Sequence, residues 1–149
     1  MSLAAKIDED LKQAMRDKDQ TKLSALRMLK SAVKYAALER PAGAVLNDAE
    51  TLQVIQKQIK QRRESIEQFK GAGRNDLSTK EAAELDVLQT YLPKQLSDEA
   101  LKKIVEQEVG SQGALTKKDF GRMMKHLNEK LAGSADNKRL SEILAQLLK

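Results

Sequence analysis

The amino-acid sequence predicts an all-α protein. Ala, Leu, Lys, Gln and Glu dominate its 149 residues, and these residue types favour helices over strands. Residues that favour strands do not alternate with polar ones over a useful length, so no sheet is expected. With no Trp, two Tyr and two Phe, the core must consist mainly of aliphatic side chains.

Apolar residues recur at helical spacing along most of the chain. The helices predicted from this spacing cover approximately residues 3–17, 21–40, 47–70, 78–92, 97–109, 117–131 and 138–148.

Polar residues at the predicted helix starts support these bounds. Asn47 with Glu50, and Ser78 with Glu81, have the spacing of capping boxes, in which two side chains bond to the free backbone amides of the first turn. Ser97 is a single N-cap for the next helix. Thr116 and Asp119 repeat the capping-box spacing before the sixth helix.

Pro93 marks the expected domain boundary, because proline cannot continue a helix. Residues 1–93 are expected to form an N-terminal helical hairpin domain, in which segments 21–40 and 47–70 lie antiparallel. Residues 94–149 are expected to form a C-terminal three-helix domain.

The sequence offers no recognisable catalytic centre. It has no cysteine and a single histidine, His126, which excludes thiolate metal sites and clustered histidine ligands. Its glycines do not form a phosphate-binding loop. We therefore expect no catalytic residues, no cofactor and no metal site.

The features that bear on the cellular location are absences. The first 14 residues lack the apolar stretch of a signal peptide, and no segment reaches the roughly 18 apolar residues of a membrane span. The lack of cysteine fits a reducing compartment. We therefore expect a cytoplasmic protein that does not enter a membrane.

The sixth predicted helix carries a basic face. At about 100° per residue, Lys118, Arg122 and Lys125 cluster within roughly 60° on the side opposite the apolar residues. Such a face can bind nucleic-acid phosphates. A basic stripe opposite an apolar one is, however, usually an ordinary solvated face, and Glu129 lies within this one. The candidate nucleic-acid contacts are Lys117, Lys118, Arg122, Lys125, Lys130, Lys138 and Arg139.

Two further features each allow two interpretations. By helical angle Arg62 falls on an apolar face, so with Lys60 and Arg63 it could bind an anion or a partner protein. The alternative is an ion pair with Glu39, Glu81, Glu84 or a similar acid. The turn at residues 133–137 is either a helix corner capped by Ser134 or Asp136, or a set of amides that accepts a phosphate.

Several segments of this sequence resemble the YqeY family across nearly the whole chain. The matching segments are 26–30 with Ala32 (LRMLK and A), 59–69 (IKQRRESIEQF), 73–77 (GRNDL), and Glu84 with 91–96 (YLPKQL). The resemblance implies an N-terminal helical hairpin domain followed by a three-helix domain similar to the C-terminal tail of GatB, a subunit of a glutamine-dependent aminoacyl-tRNA amidotransferase.

The tail pattern in that subunit is a glycine before a Met-Lys pair and then a Gly-x-Ala-Asp turn followed by a lysine. The matching positions here are Gly121, Met124, Lys125, Gly133, Ala135, Asp136 and Lys138. The resemblance implies contact with tRNA and no chemistry, because the catalytic body of GatB and the partner amidase have no counterpart here.

Three functions follow from these observations. The leading one is a non-catalytic accessory protein that binds tRNA or associates with a tRNA amidotransferase. The second is a protein interaction module that uses the long hairpin around Arg62. The third is a carbon–nitrogen ligase with glutamine as amido-N-donor. The resemblance to the amidotransferase implies this assignment only at the level of the family.

Overall fold

The computed structural model describes residues 1–113, 116–131 and 133–148, and these confirm the all-α prediction. None of the described residues forms a strand, and none of the described helices is long and apolar enough to cross a membrane. The helices are α1 (Leu3–Asp17), α2 (Gln20–Leu38), α3 (Asp48–Gly71), α4 (Asn75–Gln89), α5 (Asp98–Gln112), α6 (Phe120–Leu131) and α7 (Asn137–Leu147).

The chain divides into two compact units, Met1–Leu92 and Pro93–Lys149. We call them unit 1, which contains α1 to α4, and unit 2, which contains α5 to α7. Each unit has its own aliphatic core, as expected for segments whose apolar residues recur at helical spacing.

The main hairpin of unit 1 differs from the expected one. The sequence predicted that α2 and α3 form it, but α3 packs most extensively against α4. Only residues 72–74 separate α3 from α4, so two helices that continue from this short turn must run back along each other. Arg62 and Glu84 lie equally far from the turn and are in contact, which shows that the two helices are antiparallel.

Two sequence-based helix starts need correction. The fourth helix begins at Asn75 rather than Ser78, and the Ser78 hydroxyl donates to the carbonyl of Asn75 at 3.1 Å within its first turn. Glu81, the expected second member of that capping box, instead accepts a hydrogen bond from Arg62. Before α6, Lys117–Asp119 form a short 3-10 turn rather than the first α-helical turn.

Other helix starts agree with the sequence. Asn47 and Glu50 form the complete capping box of α3, with the Glu50 amide donating to Asn47 at 2.8 Å. Ser97 accepts from the Ala100 amide at 3.2 Å at the start of α5. These caps satisfy backbone amides that have no partner inside the helix.

The core of unit 2 fixes the orientation of α6. Met123 and Leu127 are fully buried, and Leu131 is buried at the C-terminal end of the helix. They pack with Leu101, Val105, Leu140 and Leu144 of α5 and α7. Because one face of α6 is committed to this core, the opposite face is left to solvent.

Candidate nucleic-acid interface

Four of the candidate lysines of unit 2 are exposed cations without a carboxylate partner among the residues that the structure describes. Lys117 and Lys118 lie in the 3-10 turn, Lys125 lies on α6, and Lys138 lies in the first turn of α7. We call these four residues, together with Arg122, the basic face of unit 2. Lysine ammonium groups in this state can bind phosphate oxygens without first breaking an ion pair.

Arg122 is exposed and contacts one carboxylate. Its guanidinium lies 3.3 Å from Asp119, and the two side chains are 52% and 29% exposed. An exposed pair of this kind contributes about 0–1 kcal/mol, because water screens the attraction. Arg122 can therefore exchange Asp119 for a phosphate at little cost.

Lys130 and Arg139, which the sequence also placed among the candidate contacts, each contact a carboxylate of unit 2. The Lys130 ammonium contacts Glu108 on α5. The Arg139 Nε donates to Asp98 at 2.9 Å, and its Nη2 donates to the carbonyl of Leu96 at 2.8 Å. Lys130 thus links α6 to the C-terminal half of α5, and Arg139 links α7 to the segment that begins α5. Binding RNA would compete with those contacts.

Glu108 is the acceptor at the centre of a small charged cluster between α5 and α6. It is buried, and His126 Nε2 lies 2.6 Å from its Oε2. The hydrogen bond from Lys130, followed by that from His126, holds the pKa of the Glu108 carboxyl below its ordinary value. His126 is half-buried and engaged with α5.

Sequence reasoning missed Glu108, although its position carried a signal. It follows the buried Leu101 and Val105 at helical spacing, so it lies on the inner face of α5. An acidic residue on an apolar face requires a partner, because an unpaired buried charge is costly. What the sequence could not show is that His126 and Lys130 supply the partners from another helix.

The turn between α6 and α7 is built as a helix corner. The Asp136 side chain accepts from the Arg139 amide at 2.8 Å and so caps α7. The Ser134 hydroxyl donates to the Leu131 carbonyl, and Gly133 adopts φ +88°, a left-handed conformation that glycine takes without strain. A carboxylate therefore occupies the position that a bound phosphate would need.

Arg62 of unit 1 is buried between carboxylates and does not reach solvent. Its Nη1 donates to Glu84 at 2.7 Å and to Glu81 at 3.0 Å, and its Nη2 lies 3.3 Å from the sulfur of Met28. The ion-pair interpretation is the one that the structure supports. Lys60 and Arg63 are exposed on the same helix, so the three side chains do not form one anion site.

Comparison with known proteins assigns the chain to a family. The sequence model of the YqeY-like protein family matches residues 4–148. The chain belongs to the YqeY family. This finding confirms the resemblance seen in the sequence motifs.

Curated relatives of the chain include mitochondrial proteins. One is altered inheritance of mitochondria protein 41 of Pyrenophora tritici-repentis, 41% identical over 86 residues, which cover 58% of this chain and 46% of the relative. Its namesake in Saccharomyces cerevisiae (strain YJM789) is 35% identical over 83 residues, covering 56% and 44%. An uncharacterized protein of Schizosaccharomyces pombe is 33% identical over 97 residues, covering 65% and 77%. The chain thus spans about half the length of the mitochondrial relatives that it matches.

The expectation of a cytoplasmic location was wrong, because these named relatives are mitochondrial proteins. That expectation was based on missing features: no cysteine, no apolar leader and no membrane span. Proteins of several compartments lack all three features, so their absence does not distinguish one compartment from another.

Proposed function

We propose that this YqeY protein is a non-catalytic RNA-binding protein whose basic face on unit 2 holds the sugar–phosphate backbone of tRNA. The observation that carries the proposal is that Lys117, Lys118, Lys125 and Lys138, just before α6, on α6 and at the start of α7, are exposed and have no carboxylate partner among the described residues. Their neighbours Lys130 and Arg139 are by contrast engaged in contacts between helices. The candidate cations therefore form two groups: Lys130 and Arg139 contact other parts of unit 2, and the four lysines remain available to a ligand.

The chemistry of this face favours backbone contacts over base recognition. Each lysine that neutralises a phosphate releases counterions, which makes binding strong at low salt and largely independent of base sequence. Phe120, the aromatic residue of α6, packs against the core of unit 2 and is not presented as a stacking surface. A folded RNA, in which phosphates of neighbouring strands lie close together, suits such a face better than an extended single strand.

The choice of tRNA rests on the similarity of the C-terminal motifs to the tail of GatB. That similarity also suggests association with a tRNA amidotransferase, in which the chain would hold the RNA while another subunit performs the amide transfer. Neither role requires a particular compartment, because tRNA is present wherever translation takes place. The chain itself contributes binding in this proposal and no catalytic group.

Charge reversal tests the proposal. We expect the triple variant Lys118→Glu, Arg122→Glu and Lys125→Glu to bind bulk tRNA at least about a hundredfold more weakly than the wild type at low salt, because three phosphate contacts become repulsive. Fluorescence anisotropy with labelled tRNA measures the change.

The matched control is Lys12→Glu, Lys22→Glu and Lys80→Glu, three exposed positions of unit 1 with the same change in net charge. It should lose far less affinity. Equal losses in the two variants would mean that only net charge matters, and an unchanged affinity in the first variant would exclude the basic face as the RNA site.

A further inference from the structure

Unit 1 contains an apolar groove of about 220 Å³ between α1, the second half of α2 and the segment that leads into α3. Ile7, Val33, Ala37 and Val45 line its floor and walls, and Lys34 lies at its edge. The volume is below the ~300–1,000 Å³ typical of small-molecule sites, and it suits a few inserted side chains. Val45 is 82% exposed, so one wall of the groove is apolar surface in contact with water.

Exposed apolar side chains are concentrated in unit 1. All the large hydrophobic residues that the structure shows to be exposed lie there, and Leu38 and Val45 are 79% and 82% exposed beside the groove. Leu38 immediately follows Ala37, a groove residue, at the end of α2. Exposed apolar side chains beside an apolar groove mark an interaction site more often than scattered exposed residues do.

A basic stripe borders the groove. The α2 segment Gln20–Leu38 contains no acidic residue. Lys30 and Lys34 line the groove, and at about 100° per residue Arg27, one turn earlier on α2, falls within roughly 60° of both. Lys30 pairs with Asp8 of α1 at 3.0 Å, whereas Arg27 and Lys34 are exposed without a carboxylate partner among the described residues.

We propose that this groove binds an amphipathic helix of a partner protein that carries acidic residues along one edge. Apolar side chains of that helix enter between Ile7, Val33 and Val45, in the manner of helix-in-groove recognition with anchors at i, i+3 or i+4, and i+7. Its carboxylates lie toward Arg27 and Lys34, where opposite charge fixes the orientation of the helix. This partner is independent of the RNA face, which belongs to unit 2.

The position of Asp8 argues against a polyanionic surface as the occupant. Its carboxylate is half-exposed at the rim, and it would be repelled by a continuous row of phosphates from RNA or lipid. A helix avoids this repulsion because it presents carboxylates at separate positions along one edge. A concave apolar floor also fits inserted side chains, which neither a phosphate backbone nor a flat headgroup layer supplies.

Titration of the full-length protein with a designed peptide tests the proposal. The probe is a synthetic helix of about four turns with leucines on one face and glutamates along one edge. When the peptide is added to isotope-labelled protein, we expect the backbone amide signals of the protein to shift at Ile7, Val33, Ala37 and Val45. The double variant Lys34→Glu and Val45→Asp should weaken binding at least about tenfold, while the exposed Lys22→Glu on the same helix should leave it unchanged.

Three further probes decide between occupants: a peptide with its leucines scrambled, vesicles of anionic lipid, and bulk tRNA. The proposal expects the scrambled peptide to bind at least about tenfold more weakly and expects neither vesicles nor tRNA to shift the groove signals. Absence of peptide binding up to about 1 mM, or groove shifts caused by vesicles or tRNA, would overturn it. The outcome of the peptide titration does not depend on whether the basic face of unit 2 binds RNA.

Discussion

At the level of single residues, buried charge is concentrated where Arg62 of α3 meets Glu81 and Glu84 of α4. The side chains of Arg62 and Glu84 are 5% and 3% exposed. Removing charges from water costs several kcal/mol per ion, and the mutual attraction offsets that cost only while every partner is present. The cluster therefore favours one pairing of α3 with α4, since any other register would separate the charges.

We predict that Arg62→Ala lowers the free energy of unfolding by about 3 kcal/mol or more, because it leaves the Glu84 carboxylate buried without its cation. Chemical denaturation followed by circular dichroism measures the change. Lys60→Ala, at an exposed position of the same helix, should change it by no more than about 0.5 kcal/mol. A loss below about 1 kcal/mol for Arg62→Ala would show that the cluster does not stabilise the hairpin.

Glu108 has a comparable role in unit 2, where it joins α5 to α6 through His126 and Lys130. The pKa of its carboxyl is lower in the folded protein than its ordinary value of 4.5. A group with a depressed pKa stabilises the folded state at pH values above the ordinary pKa. This contribution disappears as the pH falls through the folded value, where the carboxyl becomes protonated in both states.

We predict that Glu108→Gln lowers the thermal unfolding temperature of the protein at pH 7, since a neutral amide cannot pair with Lys130. The difference between wild type and variant should shrink as the pH falls below 4.5. Thermal melts between pH 7 and pH 3 provide the measurement. A difference that stays constant across this range would contradict an ionic role for Glu108.

At the level of helices, the end of α1 contains the one described non-glycine residue with a positive φ. Lys18 adopts φ +55° as the C-cap, and its amide bonds to carbonyls of the last turn of α1. A side chain in the left-handed region is strained by about 1 kcal/mol because its Cβ approaches the following carbonyl. The conformation is nevertheless required here, because α2 begins only two residues later.

We predict that Lys18→Gly raises the free energy of unfolding by about 0.5–1 kcal/mol, because glycine adopts this conformation without strain. Denaturant titration measures the gain, and Lys22→Gly inside α2 should instead cost about 1 kcal/mol. A destabilised Lys18→Gly variant would mean that the Lys18 side chain makes a stabilising interaction greater than the strain.

The helices could be predicted largely because their signals are local. The capping box of Asn47 and Glu50 lies within four residues, and helical periodicity requires about three turns of sequence. Ser78 and Glu81 have the same spacing, but the Glu81 carboxylate accepts a hydrogen bond from Arg62, which lies 19 residues earlier in the chain. The long-range contact of Glu81 replaces the expected capping box, and the spacing of neighbouring residues gives no information about such a contact.

At the level of the whole molecule, the candidate RNA site could be predicted only in part. The sequence identified the basic face of α6, because the periodicity that buries Met123 also exposes Lys125 on the opposite side. It could not distinguish Lys125 from Lys130 or Arg139, since all three are cations near one surface. The distinction depends on Glu108 and Asp98, which reach them from α5 and its N-terminus.

Charge is also distributed unevenly between the units. Unit 1 carries 16 basic and 14 acidic residues, a net of +2, and unit 2 carries 11 and 8, a net of +3 in a shorter segment. Two surfaces of different chemistry accompany this distribution: a polar basic face on unit 2 and an apolar groove with a basic edge on unit 1. A protein that binds RNA with one unit and a partner protein with the other would bring the RNA and that partner together.

The salt dependence of tRNA binding tests the central claim most directly. If the four lysines and Arg122 each neutralise a phosphate, the logarithm of the binding constant should fall against the logarithm of salt concentration with a slope of about −4. Replacing Lys118, Arg122 and Lys125 by glutamine should reduce that slope to between about −1 and −2, because three phosphate contacts are lost. A wild-type slope near zero, or the same slope in wild type and variant, would contradict the account.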